Sequence, residues 1–334
     1  MIKSPGFFIF TPMEKHQLRI VFMGTPDFAV ATLRAIIEGG YHVVGVITAP
    51  DKEAGRGKKI RIPAVKEYAL TQNLKVLQPE KLKNKEFLEE LAALKANLQV
   101  VVAFRMLPEE VWDMPELGTF NLHASLLPQY RGAAPINHVL INGEKVTGVT
   151  TFFLDKEIDT GRIIGRLEVP VDEKDDFEAL HDRLMEAGAR LVISTIESIR
   201  TKCVAPIEQS KLMQPGELLH PAPKICKDFC RINWSKNPKD IYNFIRGLSP
   251  YPCAFTYLNL DDDTPVMTRI FKSEYETSSH NTLPGTVSIE KRNALKVAVE
   301  GGYIYIKELQ LPGKKRMPTE DFLRGFHGKI LSVG

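Results

Sequence analysis

Short apolar runs rich in branched residues, each cut off by turn residues and separated by stretches of helical spacing, constrain this chain more than any other feature. Leu18 to Met23 is the first such run, and Gly24-Thr25-Pro26-Asp27 closes it. So short a run, bounded by turn residues, reads as a parallel strand buried on both faces. Val43 to Thr48 and Leu98 to Phe104 repeat the pattern. Between them Phe28, Leu33, Ile36 and Ile37 share a helical face that stops at Gly39-Gly40, and further helical patterns lie near 63–70 and 84–95. Strands alternating with helices predict an α/β domain on a doubly wound parallel sheet. Runs at 118–122, 146–154 and 162–169 add strands, and a long helix over 175–200 completes the domain.

The texture changes after residue 203. Pro206, Pro215, Pro221 and Pro223 punctuate a stretch without long periodicity, so 204–220 is expected to be a linker. A short helix at 238–247 and turn-separated runs at 253–259, 266–271, 284–289, 295–299 and 302–311 predict a small β-barrel, OB-like in size and strand spacing, over 221–334. The expected order is therefore a tail at 1–16, an α/β domain at 17–203, the linker and the barrel. A formal net charge of +3 in 334 residues is too small to announce a nucleic-acid binder, although the positive excess lies in residues 204–334. No apolar run approaches the roughly 20 residues of a membrane span. Cys203, Cys226, Cys230 and Cys253 have no second Cys/His pair to complete a zinc site, so they are read as free thiols of a reducing cytosol.

The first strand-to-helix turn holds one glycine where a dinucleotide fingerprint needs three, and Pro26 lacks one backbone donor, so this turn is read as structural. The chemistry concentrates in 118–137. Asn121 and His123 stand two apart at a strand end and share one face. At the carboxyl edge of a parallel sheet that face opens onto the ligand crevice. Pro135 is placed to start a helix. A later polar cluster, Asp155 to Gly161, can supply a carboxylate.

Asn121-x-His123, the segment Ser125 to Pro135 (SLLPQYRGAAP) and Asp159-Thr160-Gly161 resemble the formyltransferases that use 10-formyltetrahydrofolate. Met23 to Val30, Ala54 to Lys59, Ile232 to Ser235 and Pro312 to Lys315 extend the resemblance over nearly the whole chain, most closely to members whose acceptor is methionyl-tRNA. The resemblance implies that Asn121 and His123 stabilise the oxyanion formed when an amine attacks the formyl carbon, with Asp159 supporting the imidazole and relaying a proton. It also implies that Ser125, Leu126, Leu127, Pro128, Phe104 and Asp155 line the folate site and that no metal is needed. Lys52, Arg56, Lys58 and Lys59 form a basic loop that, by the same resemblance, meets the acceptor end of an initiator methionyl-tRNA. A monomeric cytoplasmic enzyme is expected. Phe104-Arg105-Met106, Glu157 and Lys52-Glu53 depart from the family pattern. Transfer to a small amine, a silent RNA-binding protein on the same fold, and folate hydrolysis remain as alternatives.

Overall fold

The computed structural model describes residues 12–54, 59–261, 265–290, 293–326 and 328–334. In chain order come β1 (Arg19–Gly24), α1 (Asp27–Glu38), β2 (His42–Ile47), the short strands β3 (Lys52–Ala54) and β4 (Lys59–Arg61), α2 (Ala64–Thr71), β5 (Val76–Leu77) and α3 (Lys85–Ala93). There follow β6 (Leu98–Val102), α4 (Glu109–Trp112), β7 (Thr119–His123), α5 (Pro135–Ile141), β8 (Val146–Phe153), β9 (Ile163–Pro170) and α6 (Phe177–Arg200). The chain gathers into two compact units. The first takes the residues up to 131 together with 148–169 and 182–220, and the second takes 132–147, 170–181 and 221–334.

The first unit is built on a sheet of order β5-β2-β1-β6-β7-β8-β9. Pairing is parallel from β5 to β7, whereas β8 runs antiparallel to β7. Direction is invisible in an apolar run, so the reversed edge was not legible. Every residue of β6 is buried, as is all of β1 after Arg19, which explains their unbroken apolar character. Val21, Met23, Ile47, Phe87, Leu91, Val101 and Val111 pack into one cluster between this sheet and its helices. A Cβ at Gly24 would lie 2.6 Å from the Ala29 Cβ. Glycine there lets α1 sit close against β1, in keeping with a structural turn. α1 ends as expected, with Gly39 N–H bonded to Ala35 O at 2.9 Å and Gly40 in the left-handed region at φ 74°.

Two stretches read as appendages are tied into this unit. Met13 and Arg200 exchange bonds, Met13 N–H to Arg200 O at 3.2 Å and Arg200 Nη1 to Met13 O at 2.6 Å. In the stretch expected to be a linker, Ile207 pairs with Ile163 through two backbone bonds of 2.8 and 2.9 Å. Leu212 packs on the buried cluster of Leu127, Phe152 and Ile163.

The second unit adds α7 (Pro238–Leu248), β10 (Ala254–Leu260), β11 (Pro265–Thr277), β12 (Val287–Glu290), β13 (Ala294–Val299), β14 (Gly302–Gln310), β15 (Met317–Pro318), α8 (Thr319–Gly325) and β16 (Ile330–Val333). Asn237 caps α7 by accepting from Asp240 N–H at 2.9 Å, and Pro238 opens it. The strands form an antiparallel sheet of order β12-β13-β14-β11-β10-β16, with β15 on β14. A bridge between Thr286 and Ser332 and a Val333 N–H to Gly285 O bond of 2.9 Å draw its two edges together into a nearly closed barrel. Inward Ile304, Ile306 and Leu309 meet Ile270, Leu295 and Val297 at its centre.

Candidate active site

β7 sets the site. Its register with β6 pairs Val101 with Asn121 and Val102 with Leu122, so His123 leaves the sheet at the carboxyl end of the parallel strands. Strand alternation places Asn121 and His123 on one face while Phe120 and Leu122 are buried on the other. His123 is itself nearly buried, at 6% exposed. Its Nε2 lies 2.8 Å from the Tyr130 carbonyl. A carbonyl only accepts, so Nε2 carries the hydrogen and Nδ1 is the nitrogen left for chemistry. Nδ1 faces Asp159 Oδ2 at 3.9 Å, an electrostatic contact too long for a hydrogen bond. The Asn121 side chain is half-buried, and among the described residues it has no hydrogen-bond partner. Its two N–H donors are thus uncommitted beside the imidazole.

Two loops hold these groups. After β7 the chain turns through Ser125 to Tyr130, fixed by Ser125 Oγ to Gln129 O at 2.6 Å, by Thr150 Oγ1 to Ser125 O at 2.7 Å and by Leu127 N–H to Thr150 Oγ1 at 3.1 Å. Leu127 and Ser125 are fully buried, while Leu126 is half-buried. The Leu127–Pro128 peptide is cis. Tyr130, whose carbonyl orients His123, adopts φ 61° and donates its own N–H to His220 O at 2.7 Å. Between β8 and β9 the second loop closes at Phe153 N–H to Arg162 O, 3.0 Å. Within it Asp155 Oδ1 accepts from Glu157 N–H at 3.1 Å and from Thr160 Oγ1 at 2.8 Å. Asp155 is therefore occupied in shaping the loop. Asp159 sits at φ 55°, and a Cβ at Gly161 would lie 1.7 Å from Phe153 O. Glycine is obligatory there, which gives the Asp-Thr-Gly motif a steric reason.

The strand end after β6 completes the surroundings. Phe104 is half-buried on the cluster under the sheet, and Arg105 crosses its ring at 5.7 Å. Arg105 Nη1 donates to Glu80 O at 2.8 Å and Nη2 to Pro79 O, and burial pulls its guanidinium below its ordinary value. Met106, in the segment after β6, and Ile158, in the loop between β8 and β9, are 68% and 60% exposed. Such apolar surface suits a flat aromatic ligand better than water.

The expected basic loop lies only in part within the described residues. Arg56 and Lys58 fall outside the described residues, and of Lys59 only the backbone pairing in β4 is described. Lys52 is exposed on β3 directly opposite exposed Arg61 on β4. Like charges facing each other across an antiparallel pair repel, a cost that a bound anion would relieve. At the base of this hairpin Asp51 is engaged by Gln78 at 2.7 Å and Lys66 at 2.6 Å, which hold its carboxyl below the usual carboxylate range.

The structure thus brings His123 and Asp159 together, with Asn121 on the same strand face as His123 and the Ser125–Tyr130 turn orienting the imidazole, while Phe104 packs on the cluster under the sheet. Sequence reasoning missed Tyr130, Gln129 and Gln209, which act through main-chain groups and leave no motif. Among the described residues no group of three or more His, Cys, Asp and Glu is placed to hold a metal ion.

Comparison with known proteins adds independent findings. A family model described as formyl transferase matches residues 18–196, and one described as formyl transferase, C-terminal domain, matches 224–327. A Bacteroides fragilis protein named methionyl-tRNA formyltransferase is 56% identical over 315 residues, 94% of this chain and 97% of that protein. One of the same name from Flavobacterium johnsoniae is 50% identical over 94% of this chain and 97% of its own length. HypX from Aquifex aeolicus, solved in complex with tetrahydrofolic acid, shares the fold at a TM-score of 0.59 and 17% identity. That match takes in 91% of this chain, which spans under half, 46%, of the HypX chain.

Proposed function

The chain belongs to the formyl transferase family, in the branch of the methionyl-tRNA formyltransferases, and on that premise we propose that Asn121, His123 and Asp159 form its catalytic centre. The enzyme transfers a formyl group from 10-formyltetrahydrofolate to the free amino group of methionyl-initiator-tRNA, giving N-formylmethionyl-tRNA and tetrahydrofolate for translation initiation. One observation supports the catalytic assignment above others: an uncommitted amide, an imidazole with Nδ1 free and a carboxylate 3.9 Å from that nitrogen share one corner of one unit.

Attack of the amino nitrogen on the formyl carbon forms a C–N bond and moves the carbonyl electron pair onto oxygen. The Asn121 amide and protonated His123 Nδ1 donate to that oxyanion, which is worth most where water is excluded. When the tetrahedral species collapses, the bond to the folate N10 breaks and His123 gives that nitrogen its proton. The proton shed by the attacking amine passes to Asp159 through water, so one proton leaves one nitrogen and one reaches the other. The fixed Nε2–H to Tyr130 bond lets the ring do this without rotating.

Phe104 and the turn Ser125, Leu126, Leu127 and Pro128 receive the folate, with Asp155 shaping the loop over it. The exposed apolar Met106 and Ile158 fit that reading. Lys52, Arg56, Lys58 and Lys59 contact the acceptor end of the tRNA, a role supported by the Lys52–Arg61 opposition. In this reading residues 17–203 serve as the catalytic domain and 221–334 as a tRNA-binding barrel, while 204–220, drawn as a linker by its prolines, is docked on β9 through Ile207, and 1–16 stands outside the function. The protein acts as a monomer in the cytoplasm, a compartment that suits its free thiols Cys203, Cys226, Cys230 and Cys253.

The test offers 10-formyltetrahydrofolate with either methionyl-tRNA or glycinamide ribonucleotide and follows tetrahydrofolate release. Turnover is expected with the tRNA. Turnover with the small amine alone would overturn the acceptor assignment, and release without any acceptor would point to a hydrolase.

A further inference from the structure

Gln209 belongs to the segment whose prolines suggested a mere connection, yet it is 3% exposed with all its polar capacity used. Its Nε2 donates to Asp159 O at 2.8 Å and to Gly161 O at 2.9 Å. Its Oε1 accepts from Arg131 Nε at 3.0 Å and Nη2 at 2.6 Å. One amide thus joins the loop that carries the catalytic carboxylate to Arg131, the residue that follows Tyr130 and its turn. The neighbouring Gln129 makes the reciprocal grip: its Nε2 donates to Glu217 Oε1 at 2.7 Å and Leu218 O at 3.0 Å, and its Oε1 accepts from His220 N–H at 2.9 Å.

We propose that Gln209 is a positioning residue for formyl transfer, holding Asp159 in register with His123 through the backbone of the Asp159 loop. The reading rests on the catalytic assignment of Asp159 made above. Asp159 occupies the left-handed region at φ 55°, a conformation a non-glycine residue keeps only when its surroundings enforce it. Two donors on the carbonyls at positions 159 and 161 supply that enforcement on either side of Thr160. Gln209 cannot drift, because Ile207 is bonded to Ile163 and Leu212 is packed on Leu127, Phe152 and Ile163. The same anchors mean the segment stays docked without the Gln209 amide, so loss of the amide loosens the loop rather than the unit. Gln209 touches neither substrate. It acts through Asp159.

The experiment is a double-substitution cycle on the full chain. kcat and both KM values are measured for wild type, Gln209→Leu, Asp159→Ala and the pair, with tetrahydrofolate binding and the thermal midpoint followed alongside. Gln209→Glu is added because it keeps an acceptor for Arg131 while removing both donors to the loop. The expected result is a fall in kcat of about tenfold or more for Gln209→Leu and for Gln209→Glu, the scale of a small misplacement of a reacting group. KM for methionyl-tRNA and tetrahydrofolate binding should stay near wild type. In the Asp159→Ala background, Gln209→Leu should lower kcat no further. A loss that multiplies in that background, or one that follows the thermal midpoint for both Gln209 variants alike, overturns the positioning role while leaving Asp159 catalytic. An Asp159→Ala enzyme with wild-type kcat overturns both.

Discussion

The two nitrogens of the His123 ring have separate duties, and that division is the most informative detail at the level of single residues. Nε2 is spent on the Tyr130 carbonyl at 2.8 Å, which leaves Nδ1 with Asp159 on one side and the Asn121 amide on the shared strand face. If Asn121 supplies an oxyanion donor, Asn121→Ala should lower kcat by about a hundredfold. Tetrahydrofolate affinity, read by calorimetry, should hardly change. An equal loss in folate affinity and in kcat would make Asn121 a binding residue instead. Asn121 and His123 were legible in the sequence because a two-residue spacing at a strand end dictates a common face. Asp159 came from a resemblance, since no periodicity links positions so far apart. The Tyr130 carbonyl could not be read at all, because a backbone oxygen has no identity in a sequence and its direction depends on a left-handed residue that is not glycine.

At the scale of elements, the loop between β8 and β9 is as much a steric construction as a polar one. Gly161→Ala would drive a Cβ into the Phe153 carbonyl, backbone against backbone, with no flexible side chain to give way. It should cost about 2 kcal/mol or more of stability together with activity. Gly325→Ala, where a Cβ meets nothing within 4 Å, should leave both nearly unchanged in parallel thermal melts. α6 is pinned differently. Glu197 near its end accepts from the Tyr41 hydroxyl and from Arg200 Nε at 2.9 Å, and these bonds hold its carboxyl below the usual range. A carboxyl lowered by folding adds stability above its unfolded value, about 4.3, and that stability disappears as pH falls through the folded value. Wild type should therefore exceed Glu197→Gln in stability at pH 7, with the gap closing below about pH 4. A gap that stays constant from pH 7 to pH 3 would refute the linkage. The central strands were legible because they are apolar on both faces, and α1 because its stop signal is local. β3, β4, β15 and β16 were not, being short strands held by pairing rather than by their own pattern, nor was α8, a seven-residue helix held by packing of Phe322 on the barrel core.

For the whole molecule, an α/β sheet and a barrel with separate cores match the expected fold classes, whereas the compact units are drawn differently from the expected division, 132–147 and 170–181 grouping with the barrel and 204–220 with the sheet. The run 204–220 shows the limit of composition as a guide. Proline punctuation marked it as a connection, yet its residues pair with β9 and grip the loop of Asp159 and the turn of Gln129. With the proposed basic loop meeting the tRNA phosphates, methionyl-tRNA affinity should fall steeply with added salt. Neutralising Lys52, Arg56, Lys58 and Lys59 should flatten that dependence and raise KM for the tRNA while sparing tetrahydrofolate binding. Chemistry should separate from recognition. The most direct test is the single-turnover rate of formyl transfer by His123→Ala with saturating methionyl-tRNA and 10-formyltetrahydrofolate. The rate should fall by about a hundredfold or more with both substrates bound as in wild type. A rate equal to wild type under those conditions would contradict the account.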